Sequence, residues 1–106
     1  MKLFIYVLLF SFIPALLFSQ TKITGKVTDS ENQPLPGANV FIKDSYDGIS
    51  TKEDGSFSFT TTEEGDAILV VSFLGYKSVE KNIQLTGKEI NIDIVLEEEA
   101  EPHSIL

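Results

Sequence analysis

The carboxylates in and around "TKEDGSFSF" (Thr51–Phe59) come nearest to chemistry in this sequence. Asp44, Asp47, Glu53 and Asp54 could offer hard oxygen ligands to a calcium ion. A calcium loop, however, places ligands at alternate positions and closes with a bidentate glutamate, and these residues do not follow that spacing. Asp-Gly between two alternating runs is typical of a tight hairpin turn, because such turns need positive φ. We therefore predict the turn of a β-hairpin, with a bound cation as the alternative.

Catalytic arrangements find little support in the sequence. The single histidine, His103, follows Pro102 in the tail, where no packed scaffold holds it beside a serine nucleophile. The paired acids Glu63 and Glu64 precede a glycine and are typical of a solvated loop. One histidine and no cysteine make no zinc ligand set. We assign no catalytic, cofactor-binding or metal-ligating residue and expect no cofactor and no enzymatic activity.

Tyr76, in "SFLGYKS" (Ser72–Ser78), is the one residue we single out as a candidate contact for a ligand or partner. A tyrosine beside Gly75 could stack on a sugar or receive a protein partner. The commoner role of such a corner is to cover the end of a sheet with the ring. We therefore predict that the Tyr76 ring packs against the fold, with contact to a ligand or partner as the alternative.

The composition of the chain excludes some classes of binding partner. The chain has 106 residues, enough for one small domain, and 42% of them are hydrophobic. Its formal net charge of −8 argues against nucleic acid and against anionic lipid, because both require basic surface. Without cysteine, stability has to come from an ordinary apolar core.

The first residues have the pattern of a secretory signal peptide. Lys2 supplies a positive start, and Leu3–Phe18 is an apolar block interrupted only by Ser11 and Pro14. We predict a signal peptide over 1–19, cleaved between Ser19 and Gln20 or one residue later. An uncleaved membrane anchor is the alternative, although the block is shorter than the roughly 20 residues of a membrane span.

The rest of the chain shows short alternating segments, with turn signals about every 8 to 12 residues. "AILVVSFL" is apolar on both faces, which predicts a central strand covered on both sides. No window has a helical period. The predicted strands are Lys22–Asp29, Ala38–Lys43, Ile49–Thr51, Ser56–Thr60, Ala67–Leu74, Lys77–Leu85 and Glu89–Glu97. The sequence thus predicts an all-β fold, a seven-stranded antiparallel β-sandwich over 22–97, followed by an acidic linker or disordered tail over 98–106.

Four blocks in this order carry a family resemblance: "ITGKVTDSENQPLPGANVFIK", "GISTKEDGSFSF", "LVVSFLGYKS" and "INIDIVLEE". Together they resemble the carboxypeptidase-regulatory-like domain, in the version found at the N-terminus of TonB-dependent outer-membrane receptors. The resemblance covers Ile23 to about Glu98. It implies a transthyretin-like (prealbumin-like) β-sandwich, without the zinc centre of the carboxypeptidases themselves.

In such receptors a plug and a transmembrane barrel follow this domain, so the resemblance implies these as partners. It also implies export to the periplasm and association with the outer membrane. Because the sequence ends at Leu106, we expect a fragment, a truncated product or a separately encoded accessory domain of a receptor for nutrients or glycans. The alternative is a free-standing exported module that binds carbohydrate or a surface protein. A structural spacer is a third, weaker option.

Overall fold

The computed structural model describes residues 20–99. The predicted signal peptide and His103 lie outside these residues. Every regular element within them is a β-strand, and no described segment forms a helix of the length and apolarity needed to cross a membrane. The strands are β1 (Thr21–Asp29), β2 (Asn39–Ile42), β3 (Gly48–Ser50), β4 (Ser56–Thr61), β5 (Gly65–Ser72), β6 (Val79–Leu85), β7 (Ile90–Asn91) and β8 (Ile94–Leu96).

The strands form two four-stranded sheets. In the first sheet, β1 lies in the middle, with β4 on one side and both β7 and β8 on the other. The second sheet has the order β3-β2-β5-β6, and all its neighbours are antiparallel. The predicted all-β sandwich is confirmed.

Two details of the prediction were wrong. The fold is not wholly antiparallel, because β7 and β8 both pair with β1 in parallel. The described residues also form eight strands rather than seven, because the predicted strand Glu89–Glu97 is interrupted between β7 and β8. Both halves keep one register, since Ile23 pairs with Ile90 and Val27 with Ile94. They are therefore two parts of one extended segment.

The interruption lies opposite Gly25. A Cβ at this position would overlap the carbonyl oxygen of Ile92 and the ring of Phe57. The absent side chain thus lets the Ile92 carbonyl approach β1, while the Ile92 N–H donates to the Thr24 carbonyl at 2.8 Å. Glycine inside a strand often marks such a close approach of another backbone.

The core lies between the sheets and follows the predicted alternation. In β2, Val40 and Ile42 are buried, as is Ala38 before it. The alternating residues of the last segment also face the core, with Ile94 and Leu96 buried. The fully buried large side chains from both sheets are Ile23, Ile42, Leu69, Ile94, Leu96, Val27, Val40 and Val71.

Strand β5 is central, as predicted, between β2 and β6. Leu69 and Val71 face the core. Val70 faces the opposite way, in register with Phe41 and Glu80, and is 9% exposed. Within residues 20–99 no third layer of structure covers this outer face. The described residues therefore do not provide the cover on both sides of β5 that the sequence predicted.

Candidate interaction surfaces

The acidic stretch Thr51–Phe59 contains the predicted tight turn. The Gly55 N–H donates to the Lys52 carbonyl at 2.8 Å, and Gly55 has a φ of 81°. Ser56 donates its N–H and its hydroxyl to Asp54 Oδ1 at 3.0 and 2.6 Å. The hydroxyl hydrogen bond, followed by the N–H hydrogen bond, holds the pKa of Asp54 below its usual value. This carboxylate therefore stabilises its own turn.

The predicted hairpin was wrong, because the strands on the two sides of the turn, β3 and β4, belong to different sheets. Besides the hydrogen bond from Gly55 to Lys52, the Lys52 N–H donates to the Ser56 carbonyl at 2.9 Å across the turn. The Val27 N–H donates to the Gly55 carbonyl at 2.8 Å and ties the turn to β1. The turn thus carries the chain from one sheet to the other.

Of the other candidate metal ligands, Glu53 is exposed in the same turn as Asp54, whereas Asp44 and Asp47 lie in the loop before β3. Asp47 Oδ2 accepts the Thr61 hydroxyl at 2.6 Å, and Asp44 adopts a positive φ of 65° in the loop before β3. Glu63 and Glu64 are exposed before β5. Within residues 20–99, no three His, Cys, Asp or Glu side chains converge as metal ligands.

Tyr76 lies at one end of the sandwich. Its ring packs at 39° against Phe73, with 5.7 Å between centroids, and its backbone forms an antiparallel bridge with Glu98. Burial raises the pKa of the Tyr76 phenol, and the charges of Glu98, Asp29 and Glu31 raise it further. The ring is half-buried, so Tyr76 packs against the fold and also reaches an acidic surface.

Ordered backbone pairing continues past β8. The Lys77 N–H donates to the Glu97 carbonyl at 2.8 Å, and the Glu99 N–H donates to the Gly75 carbonyl at 2.9 Å. The first residues of the predicted tail therefore pair with the turn that carries Tyr76.

A surface that the sequence did not indicate lies along β3. Tyr46 is fully exposed, and Ile49 keeps 40% of its surface exposed although it is directly opposite the buried Val40. These two residues line a shallow recess together with Phe41, Gly48 and Ser50. The only hint in the sequence was one aromatic residue within a polar loop. We call residues 46–50 the β3 edge.

The β3 edge presents free backbone groups. The Ile42 N–H donates to the Asp47 carbonyl, and the Thr51 N–H donates to the Ala38 carbonyl, both at 2.9 Å. Because antiparallel strands alternate, the N–H and C=O groups of Gly48 and Ser50 point away from β2. β3 is the last strand of its sheet on this side.

The opposite edge of the same sheet, β6, carries more charge. Glu80 and Lys81 are exposed there, and Glu80 lies 3.8 Å from the Lys43 ammonium. Lys81 pairs with the core residue Leu69, so the register places a charged residue on the inner face of this edge strand. Inward-pointing charges on edge strands oppose the addition of another strand.

Comparisons with known proteins agree on one family. A model of the CarboxypepD_reg-like domain matches residues 23–104. A TonB-dependent receptor of Formosa agariphila is 35% identical over 97 residues, which is 91% of this chain and 9% of that receptor. The TonB-dependent receptor SusC of Bacteroides thetaiotaomicron is 41% identical over 61 residues, 58% of this chain and 6% of that protein. The chain thus spans less than a tenth of these relatives.

Solved structures share the fold at low sequence identity. Catechol 1,2 dioxygenase of Acinetobacter radioresistens has a TM-score of 0.64 at 16% identity, covering 85% of this chain and 55% of that one. A chain of a type II cohesin–X-dockerin complex from Acetivibrio cellulolyticus has a TM-score of 0.62 at 15% identity, covering 72% and 56%. At these identities the likeness concerns the β-sandwich alone.

Proposed function

This chain belongs to the family of CarboxypepD_reg-like domains, and we propose that it serves as a non-catalytic accessory domain of a TonB-dependent outer-membrane receptor, on the periplasmic side. The observation that carries this proposal is its similarity to TonB-dependent receptors, which extends over nearly the whole chain in one of them. In this proposal 1–19 is a signal peptide, residues 22–97 are the accessory domain, and 98–106 lead towards the plug and barrel.

The role we propose is one of contact rather than catalysis. The acidic side chains of Asp47 and Asp54 accept hydrogen bonds in separate turns, and the only histidine of the sequence is His103. Catalysis generally requires a nucleophile and a base held within hydrogen-bonding reach. A rigid sandwich with exposed strand edges and loops is instead suited to a protein partner.

Fractionation of the native host tests the receptor assignment. An antibody against residues 22–96 should detect a large protein in the outer membrane, because a receptor would continue into a plug and a barrel. A small protein in the soluble periplasm or in the medium would contradict the assignment. That outcome would favour a free-standing exported module, whose ligand would then be sought at Tyr76.

Deletion of the domain tests its contribution. Removing residues 22–96 from the native protein, with 1–21 retained, should lower uptake of the substrate or its regulation while the amount of outer-membrane protein is unchanged. Unaltered uptake and regulation for every substrate of the receptor would rule out an accessory role.

A further inference from the structure

We propose that the β3 edge binds an extended, Lys- or Arg-bearing segment of a second polypeptide, which adds as a fifth strand to the β3-β2-β5-β6 sheet. This inference rests on the proposed accessory role and names the surface and the kind of partner involved.

The first support is the backbone. Gly48 and Ser50 each direct an N–H and a C=O away from β2, and all of β3 is exposed. Such a row of free donors and acceptors is a template for another strand, and main-chain hydrogen bonds supply much of the affinity in this mode of recognition.

The second support is apolar surface that the fold leaves open. The register places Ile49 on the same face as Val40, which is fully buried, yet Ile49 is 40% exposed. The core is therefore uncovered at this edge, and an added strand would place its own inward side chain over Ile49. Tyr46 is fully exposed beside it and would supply the kind of aromatic contact that is enriched at interfaces.

The third support is the difference between the two edges of this sheet. β6 is long but has Lys81 on its inner face, whereas β3 contains no charged residue. Charged side chains protect edge strands from pairing, so β6 is protected in this way, whereas β3 is limited only by its length of three residues. The same sheet thus has one edge that opposes strand addition and one that accepts it.

The acidic residues around β3 indicate that the added segment carries basic residues. Asp44 and Asp47 precede β3 in the sequence, and Glu53 and Asp54 follow it. The cations near Asp54 are Lys52 and Lys26, so the carboxylates of Asp44 and Asp47 before the strand carry most of the argument. Lys43, before β3, lies instead beside Glu80 on the outer face. An uncharged centre flanked by lysine or arginine would complement this distribution, because complementary potentials favour encounter and register.

Site-specific photo-crosslinking in the native host tests the inference on the whole protein. The photoreactive residue p-benzoylphenylalanine replaces Tyr46, or in a control Asn82 on the opposite edge, and adducts are mapped by mass spectrometry. We expect an adduct at position 46 with an uncharged segment flanked by Lys or Arg, at least about tenfold above that at position 82. No adduct at 46, or an adduct with an acidic or helical segment, would overturn the inference.

A proline variant tests whether main-chain pairing holds the partner. Ser50→Pro removes an outward N–H and breaks no backbone hydrogen bond to β2, although it loses the 3.5 Å contact from the Ser50 hydroxyl to Asn39 Oδ1. Proline is tolerated at an edge when its N–H side faces solvent. It should reduce the adduct at position 46 by up to about tenfold, the effect of losing one hydrogen bond. Asn82→Pro, which by the same alternation removes an outward N–H from β6, should leave the adduct unchanged.

Ile49→Lys gives an independent test if Ser50→Pro fails to accumulate. It places a charge where Lys81 stands on the other edge, and it should reduce the adduct to the same extent. An adduct that persists in either accumulating variant would overturn strand addition. If the protein is found in the outer membrane but gives no adduct at position 46, only this inference is overturned. If it is a small soluble protein that gives the adduct, only the receptor assignment is overturned.

Discussion

Single residues decide which acidic groups of this chain are available to a partner. Asp54 binds Ser56 in its own turn, and Asp47 binds Thr61, so both carboxylates have a structural role in addition to their charge. Thr51 is buried between two segments, with its hydroxyl accepting the Ala38 N–H and donating to the Leu35 carbonyl. Short polar side chains thus stabilise the turns of a protein that contains no disulfide.

Tyr76 gives a pH dependence at the residue scale. Burial, with the charges of Glu98, Asp29 and Glu31, raises the pKa of the phenol above its ordinary value of 10.0, so the folded state favours the neutral form. The associated stability is fully present below the unfolded pKa and is lost as pH rises through the raised pKa. We expect the free energy of unfolding to fall above about pH 10, and to fall less in Tyr76→Phe.

Urea titrations at a series of alkaline pH values measure this difference. Tyr46→Phe is the matched control, because the Tyr46 side chain is fully exposed. An equal alkaline loss in the parent protein and in Tyr76→Phe would contradict the role given to the half-buried Tyr76 ring.

At the scale of elements, the central strand β1 determines how the first sheet is assembled. It pairs antiparallel with β4 on one side and parallel with β7 and β8 on the other. Gly25 permits the close approach of Ile92 at the point where the parallel pairing is interrupted. The break in the last extended segment therefore lies opposite the one residue of β1 that has no side chain.

Gly25→Ala should destabilise the fold. The new methyl group would overlap the Ile92 carbonyl and the Phe57 ring, and overpacking of this kind costs typically about 1–3 kcal/mol. Urea unfolding measures the loss, and hydrogen exchange should quicken first at the Ile92 N–H, which donates to Thr24. Ser58→Ala, at an exposed site on β4, is the control and should change stability little. A parent-like midpoint for Gly25→Ala would show that the backbone there can move freely.

At the scale of the whole molecule, the first and last strands depend on each other. β8 ends the described strand order and pairs with β1, and its buried residues Ile94 and Leu96 complete the core between the sheets. Pairing between distant segments couples the two ends of the described chain, because β1 lacks its second neighbour until the last segment has been positioned.

Leu96→Ala tests this dependence. Truncation of a fully buried leucine typically costs about 2–5 kcal/mol, even when it lies near the end of a domain. Val95→Ala is the matched control in the same strand, because Val95 is 55% exposed and should change stability by about 0.5 kcal/mol or less. Similar urea midpoints for the two variants would mean that β8 contributes little to the core.

Much of this fold could be predicted from local patterns. Alternation identified β1, β2, β4 and the last segment, and the apolar run identified β5 as central, because side chains on successive strand residues face opposite sides. The Asp-Gly pair indicated its turn for an equally local reason, the positive φ at Gly55. The family resemblance was confirmed as well.

What only the tertiary structure decided involves residues far apart in the chain. The parallel pairing of β1 with β7 and β8, the turn that passes between sheets, and the exposed β3 edge all depend on which strands become neighbours. Alternation reports which residues share a face, but it does not specify the partner or direction of a strand. For the same reason, the sequence places Ile49 in a short strand but does not indicate its exposure, which follows from β3 being the last strand of its sheet.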